Sequence, residues 1–196
     1  MKKTILCATA ILLLFSSCSK SFEAITEIQN TKTGTSAFTQ YIIKSGEHYA
    51  NINPYKKVST GEMNFVVKFD STAIYQSGLQ ENQYDINKLC GFADNNSYHH
   101  QYSARFGWRW SDDSLRLFAY VYNNGAVQSK ELTTIPIGKE MNCSIKVDGN
   151  QYIFTVNDTQ EKLPRESTTA VAEGYQLYPY FGGDETAPHD VYIWIK

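Results

Sequence analysis

Residues 103–122 read SARFGWRWSDDSLRLFAYVY, and this stretch decides the fold class. Hydrophobic and polar side chains alternate on both sides of a short polar segment, Ser111-Asp112-Asp113-Ser114. Because successive side chains of a strand point to opposite faces of a sheet, such alternation is typical of half-buried strands. The stretch therefore predicts two antiparallel strands joined by a tight turn.

The two faces of this predicted hairpin differ in chemistry. One is apolar and predicts a core face; it carries Ala104, Phe106, Trp108, Trp110, Leu115, Leu117, Ala119 and Val121. The other, called here the Arg/Tyr face, carries Arg105, Arg109, Arg116, Phe118, Tyr120 and Tyr122. Three arginines and two tyrosines are an unusual load for a solvated surface, so we interpret this face as a ligand platform. The alternative is a solvated face with cross-strand Arg–Tyr stacking.

Further strand signals follow along the chain. Residues 37–43, 61–70, 89–92, 127–132 and 191–196 read as strands, and Asp148-Gly149-Asn150 predicts a hairpin between 142–147 and 152–157. Residues 174–181 read as one strand, whereas 46–57 and 162–169 read as loops. About ten short strands, little helix and no long repeat indicate one all-β domain over residues 37–196. We predict a two-sheet antiparallel jelly-roll sandwich.

The N-terminus carries targeting chemistry instead of fold. Lys2 and Lys3 precede an apolar run that is too short to span a bilayer, and small residues lead directly to Cys18. This pattern is similar to a bacterial lipobox, which implies a signal peptide over 1–17, lipidation of Cys18 and a tether over 18–36. An ordinary secretory signal with a chance cysteine is the alternative. The lipoprotein interpretation implies attachment to the bacterial outer membrane, facing either the periplasm or the exterior.

Composition argues against nucleic acid as a partner and does not decide whether the cysteines are free or bonded. The formal net charge is −2, so no basic footprint for nucleic acid is present. Cys90 and Cys143 lack metal-ligand spacing. They are either two buried free thiols or one disulfide, which an envelope compartment permits. The oligomeric state is left open.

Three segments carry a resemblance: 87–94 (NKLCGFAD), 103–110 (SARFGWRW) and 178–195 (YPYFGGDETAPHDVYIWI). They resemble uncharacterised lipoproteins of glycan-degrading Gram-negative bacteria with a concanavalin A-like lectin/glucanase fold. The resemblance implies a jelly roll whose concave sheet faces glycans. The chain departs from the glucanases because their ExDxxE strand is absent. Glycoside hydrolysis needs a carboxyl pair flanking the bond, so a hydrolase is not expected.

Three kinds of site follow. Arginine forks suit carboxylates or sulfates, and tyrosines stack on sugar rings. The candidate glycan-binding residues are therefore Arg105, Arg109, Arg116, Tyr120, Tyr122, Tyr178 and Tyr180. A polysaccharide lyase needs a uronate-neutralising group, a base and an acid, which His99, His100, Arg105, Tyr120 and Tyr122 could supply. The resemblance also implies a structural calcium ion near Asp94, Asp184 and Asp190; no other cofactor is expected.

These observations lead to one leading function and two alternatives. The leading interpretation is a lipid-anchored envelope protein that binds polysaccharide on the Arg/Tyr face without catalysis. The first alternative is a lyase acting on uronate-containing glycan. The second is a structural or assembly lipoprotein whose aromatic face meets a protein partner.

Overall fold

A computed structural model describes residues 37–196, which form an all-β sandwich of two antiparallel sheets. The predicted signal peptide, Cys18 lipidation and tether fall on residues 1–36 and lie outside the described residues. The strands are β1 (Thr39–Ile43), β2 (Lys57–Thr60), β3 (Glu62–Phe69), β4 (Asn87–Ala93), β5 (Ser103–Ser111), β6 (Ser114–Asn123), β7 (Ala126–Ile135), β8 (Glu140–Asp148), β9 (Gln151–Val156), β10 (Thr159–Pro164), β11 (Ala172–Leu177) and β12 (Val191–Ile195).

Each sheet has six strands. The first sheet has the order β1-β12-β3-β8-β9-β10, and the second has the order β2-β11-β4-β5-β6-β7. Aromatic side chains fill the space between them: Phe106 contacts Phe65 and Phe154 of the opposite sheet, and Phe69 contacts Trp108. The predicted two-sheet antiparallel sandwich is confirmed.

The central hairpin forms as its sequence predicts. Ser111 pairs with Ser114, which leaves Asp112 and Asp113 as a two-residue turn. Both have positive φ, 51° and 53°, as a turn between two right-twisted strands requires. Trp108 is fully buried in the core and Trp110 is partly buried against it, so alternation assigned both tryptophans correctly.

The remaining strands show where the sequence pattern fails. β2 and β10 were not predicted as strands; each partly overlaps a predicted loop (46–57 and 162–169). Both are edge strands in which polar residues outnumber apolar ones. β11 ends at Leu177, and Tyr180 instead forms isolated bridges with Tyr49 and Lys88. The two 3-10 turns, Ser71–Ala73 and Gln80–Tyr84, interrupt the long connection between β3 and β4. That connection returns to the outer face of the second sheet.

Two further observations concern the cysteines and membrane-spanning helices. Cys90 and Cys143 are both buried and both free, which is the first of the two alternatives for this pair. Among residues 37–196, no helix has the length and apolar character needed to cross a membrane.

Candidate functional site

A cleft of about 540 Å³ lies on the outer face of the second sheet. Its lining comes from the central hairpin, β4, β11 and three connections: the β1–β2 loop, the β4–β5 loop and the segment between β11 and β12. Two cationic side chains, Arg105 and Lys88, lie in the cleft and are called here the cationic floor. The aromatic lining consists of Tyr49, Tyr55, Tyr120, Tyr122, Tyr175, Tyr178 and Tyr180.

The register of the hairpin explains how Arg105 reaches this position. Arg105 pairs with Tyr120 on β6 and with Gly91 on β4. A Cβ atom at Gly91 would lie only 2.3 Å from the Cβ of Arg105, so a side chain there would displace the arginine. With glycine at this position, the Arg105 guanidinium reaches past β4, and its Nη2 donates hydrogen bonds to the carbonyls of Leu89 (3.2 Å) and Tyr178 (2.6 Å).

Arg105 is buried without a counter-ion. It is only 7% exposed, and within residues 37–196 it forms no ion pair. Its Nε is fully buried and makes no hydrogen bond. The same is true of the hydroxyl of Ser103, two residues earlier on β5. Burial lowers the pKa of Arg105 to about 10, because a charged group loses the stabilisation that water gives it. The guanidinium nevertheless stays charged near neutral pH.

Lys88 adds a second positive charge to the cationic floor. Its Nζ donates a hydrogen bond to the Ile86 carbonyl (2.6 Å) and lies 4.9 Å from the centre of the Tyr120 ring. Burial, and secondarily repulsion from Arg105, lower the pKa of Lys88 to about 8. The positive charge of Arg105 therefore disfavours the charged form of Lys88.

The two histidines lie at one end of the cleft, in the loop between β4 and β5. The ring Nδ1 of His99 is 2.9 Å from the Tyr175 hydroxyl, and the two histidine rings are 4.2 Å apart. His100 also meets the Tyr122 ring edge-on at 5.2 Å. Burial lowers the pKa of His99 to about 4, with smaller contributions from His100 and Arg105, so His99 is neutral at pH 7.

The structure divides the predicted Arg/Tyr face. Arg109 and Arg116 share that face with Arg105 but lie outside the residues that line the cleft. Arg109 Nη1 donates to the Tyr84 carbonyl (2.8 Å), and its guanidinium lies over the Phe118 ring. Arg116 forms ion pairs with Glu131 (2.8 Å) and Asp112 (3.2 Å).

A glycine in β5 explains this division. A Cβ atom on Gly107 would lie 2.3 Å from the Cγ2 of Ile86, so the chain just before β4 packs onto the sheet at Gly107. Gly107 stands between Arg105 and Arg109 on the same face of β5. The cleft therefore ends where Ile86 covers the sheet, and only the Arg105 half of the face is open.

Of the predicted binding residues, the structure brings Arg105, Tyr120, Tyr122, Tyr178 and Tyr180 together, with His99 and His100 beside them. Sequence reasoning missed Lys88, Tyr49, Tyr55 and Tyr175. A lysine inside the apolar run of β4 was a usable signal, because buried lysines are rare unless functional or paired. The tyrosines of the β1–β2 loop gave no such signal.

Two of the three residues predicted to bind calcium, Asp94 and Asp190, form ion pairs with basic side chains. Asp94 is fully buried and forms an ion pair with Arg165 (2.8 Å); it also accepts hydrogen bonds from Tyr152, Thr169 and two backbone amides. Asp190 pairs with Lys44 (2.7 Å), while Asp184 is exposed on a loop. Within residues 37–196, no group of three or more His, Cys, Asp or Glu residues is placed to hold a metal ion.

Comparison with known proteins identifies the fold. No family model matches the chain, and no curated protein sequence matches it either. Among solved structures, the chain is similar to the alginate lyase AlyC3, with 10% identity and a TM-score of 0.54; the match covers 81% of this chain and 72% of that one. At this identity the likeness shows a shared jelly-roll fold and no more.

Two weaker likenesses involve other glycan-related proteins. A carbohydrate-binding module, CBM66 from Bacillus subtilis, matches over 80% of this chain and 91% of its own, with 10% identity and a TM-score of 0.38. A kappa-carrageenase from Zobellia galactanivorans matches over 81% and 78%, with 11% identity and a TM-score of 0.38. At these scores neither adds to the fold assignment.

Proposed function

We propose that this protein binds polysaccharide in the cleft without cleaving it. The observation that carries the proposal is the lining: seven tyrosines from separate segments of the chain surround one cleft of about 540 Å³. Tyrosine combines a flat apolar face with a polar edge, which suits a surface that holds sugar rings and remains partly wet. A cleft of this size falls in the range of small-ligand sites.

The arrangement of the tyrosines supports the same proposal. Tyr49 and Tyr55 stand on the β1–β2 loop and are strongly exposed, whereas Tyr120 is half-buried on the sheet. The Tyr55 ring lies 5.9 Å from the Tyr175 ring, and the Tyr49 ring lies 4.9 Å from the Tyr180 ring. A bound glycan would therefore have aromatic surface beneath it and on one side.

Affinity electrophoresis tests this proposal. Residues 37–196 are run through gels that contain alginate, polygalacturonate, carrageenan, laminarin or dextran. We expect retardation by at least one polymer and loss of that retardation in the double variant Tyr120→Ala, Tyr175→Ala. If folded protein migrates freely through all five gels, the polysaccharide proposal is wrong.

A lyase acting on uronate-containing glycan is the second candidate, because His99, Tyr120 and Arg105 line the same cleft. His99 is neutral and contacts the Tyr175 hydroxyl, while burial raises the pKa of Tyr120 and keeps that phenol protonated. In β-elimination a base removes the proton beside the carboxylate, the C–O bond to the leaving sugar breaks, and an acid protonates the departing oxygen. His99 would be the base, Tyr120 the acid, and Arg105 would neutralise the carboxylate.

Ultraviolet absorbance distinguishes the two candidates, because elimination creates an unsaturated sugar end and binding does not. Under the leading proposal, alginate and polygalacturonate give no absorbance increase after long incubation with protein that binds them. An increase that His99→Ala abolishes would establish the lyase and reject the non-catalytic interpretation.

We further propose that the domain is held at the outer membrane by lipid on Cys18. The support is the sequence pattern alone, since Cys18 lies outside the described residues. Mass spectrometry of the full chain from membrane extracts should find acyl groups on an N-terminal Cys18. If the full chain from the same cells is found in the soluble fraction without acyl groups, the lipid anchor is wrong.

A further inference from the structure

We infer that the bound polysaccharide is anionic and that one of its charged substituents, a carboxylate or a sulfate ester, is held by the cationic floor of Arg105 and Lys88. This inference rests on the proposed polysaccharide binding and specifies its ligand. It follows from the charge of the cleft, from the unused donors of Arg105 and from the mutual repulsion of the two cations.

The charge of the cleft is one-sided. Among the described residues that line it, two are cations and none is Asp or Glu. Asp85 is the carboxylate that acts electrostatically on Lys88, but it packs against Gly183 and forms no ion pair with the lysine. Clefts lined by one sign of charge concentrate ligands of the opposite sign. The protein as a whole is weakly acidic, so the positive cleft is a local feature.

Arg105 has hydrogen-bond donors that no described residue uses. Of its three guanidinium nitrogens, only Nη2 is hydrogen-bonded within the described residues, and both acceptors are neutral carbonyls. Nε is fully buried without a partner, as is the hydroxyl of Ser103 two residues earlier on β5. Nη1, by contrast, makes no hydrogen bond within the described residues and is not fully buried, so it is the nitrogen left free for a ligand in the cleft. Buried polar groups in folded proteins are nearly always satisfied, and exceptions often mark sites that another molecule completes. A carboxylate or sulfate supplies acceptors and charge together, in the planar geometry that guanidinium matches.

A neutral sugar would complete this site poorly. Its hydroxyls could accept hydrogen bonds from the donors, but the two positive charges would remain uncompensated in a partly desolvated cleft. Because burial lowers the pKa of both cations, and Arg105 lowers that of Lys88 further, an anion placed between them is favoured over water. Selectivity for charged over neutral polymers is therefore expected.

Isothermal titration at low salt tests the inference with oligosaccharides of three kinds: oligogalacturonate for the carboxylate, carrageenan oligosaccharides for the sulfate, and laminari-oligosaccharides as the neutral probe. We expect at least a tenfold lower Kd for one anionic probe than for the neutral one. Lys88→Met and Arg105→Lys should each raise that Kd at least tenfold. Arg116→Gln is the matched control for Lys88→Met, because each variant removes one positive charge and Arg116 lies on the Arg/Tyr face outside the cleft; its Kd should change less than twofold.

The outcomes separate the inference from the proposed function. Tight binding of the neutral probe, unaffected by Lys88→Met, would overturn the anionic ligand and leave polysaccharide binding intact. No binding of any probe by folded protein would overturn both. An equal loss of affinity in Arg116→Gln would show a general charge effect and overturn the cationic floor. Comparison of the Kd for oligogalacturonate with the Kd for carrageenan oligosaccharides then shows which anion the site holds.

Discussion

Two arginines, Arg105 and Arg165, are buried in the same sandwich to nearly the same degree, 7% and 4% exposed, yet their surroundings differ completely. Arg165 pairs with Asp94 through Nε (2.8 Å), and its Nη2 also donates to Ser167, Thr169 and the Val171 carbonyl. Arg105 has no carboxylate partner within the described residues and leaves Nε without any acceptor.

The two arginines differ in whether the protein itself supplies a counter-ion. Around Arg165 the protein supplies the counter-ion itself, and the Asp94 network joins the loop after β4 to the segment before β11. Burial raises the pKa of Asp94, but hydrogen bonds from Arg165, Tyr152 and backbone amides outweigh it and the net pKa is lowered. Around Arg105 no described residue supplies a counter-ion, and we propose that a ligand does. Substitutions at the two sites should therefore have opposite consequences for stability and binding.

The largest effect is expected from Asp94→Asn. Removing the carboxylate charge leaves the Arg165 guanidinium buried without compensation, which typically costs about 3–5 kcal/mol of unfolding free energy. Urea denaturation should show this loss. The control is Glu161→Gln, which breaks the exposed Lys130–Glu161 pair and should cost less than about 1 kcal/mol. If the two variants are equally stable, the Asp94 pair is not the structural element described here.

Arg105→Met is expected to be milder for stability and severe for binding. The substitution removes an uncompensated cation and keeps most of the apolar stem, so unfolding free energy should change by less than about 2 kcal/mol even though two carbonyls lose a donor. Affinity for an anionic polysaccharide should fall at least tenfold in the same preparation. A destabilisation as large as that of Asp94→Asn would place Arg105 among the structural residues and remove the contrast.

The sequence predicted the hairpin that carries Arg105 but not the partner of Asp94. Alternation and the two-aspartate turn are local, so they place Trp108 in the core and Arg105 on the outer face. The Asp94–Arg165 pair joins residues 71 positions apart, and no local pattern encodes that contact. The resemblance to lectin-like sandwiches implied a calcium ion near Asp94, whereas the structure places the Arg165 guanidinium against this carboxylate.

Local sequence pattern also could not predict how much of the Arg/Tyr face is open. Strand parity puts Arg105, Arg109 and Arg116 on one face, and this is correct for the backbone. Which part of the face stays open depends on how the β3–β4 connection folds back onto it at Gly107. That glycine was a readable signal, since glycine within a strand often marks the close approach of another segment. The tyrosines contributed by the β1–β2 loop depend on tertiary packing alone.

The loss of the Lys88 proton at high pH gives a further test of the cationic floor. Its pKa is lowered from 10.5 to about 8, so between these values the unfolded chain binds more protons than the folded one. Stability should therefore rise with pH across this window, while affinity for an anion should fall as Lys88 loses its charge. Titrations and urea denaturation at pH 7 and pH 9.5 measure both trends. Lys88→Met should reduce the difference between the two pH values in each measurement, and the remainder reflects Arg105, whose pKa is lowered to about 10. If wild type and variant respond alike, Lys88 does not titrate in the cleft.

The smallest effect is expected at the rim, where two tyrosines form a matched pair. Tyr55 and Tyr98 are 79% and 78% exposed, but only Tyr55 lines the cleft. Tyr55→Ala should weaken polysaccharide binding by roughly fivefold, which corresponds to about 1 kcal/mol of lost ring contact. Because both side chains are exposed, neither substitution should change unfolding free energy by more than about 0.5 kcal/mol. Equal losses of affinity in Tyr55→Ala and Tyr98→Ala would mean that the binding surface extends beyond the cleft. An unchanged affinity in both variants would confine the binding surface to the sheet around the Arg105–Tyr120 pair.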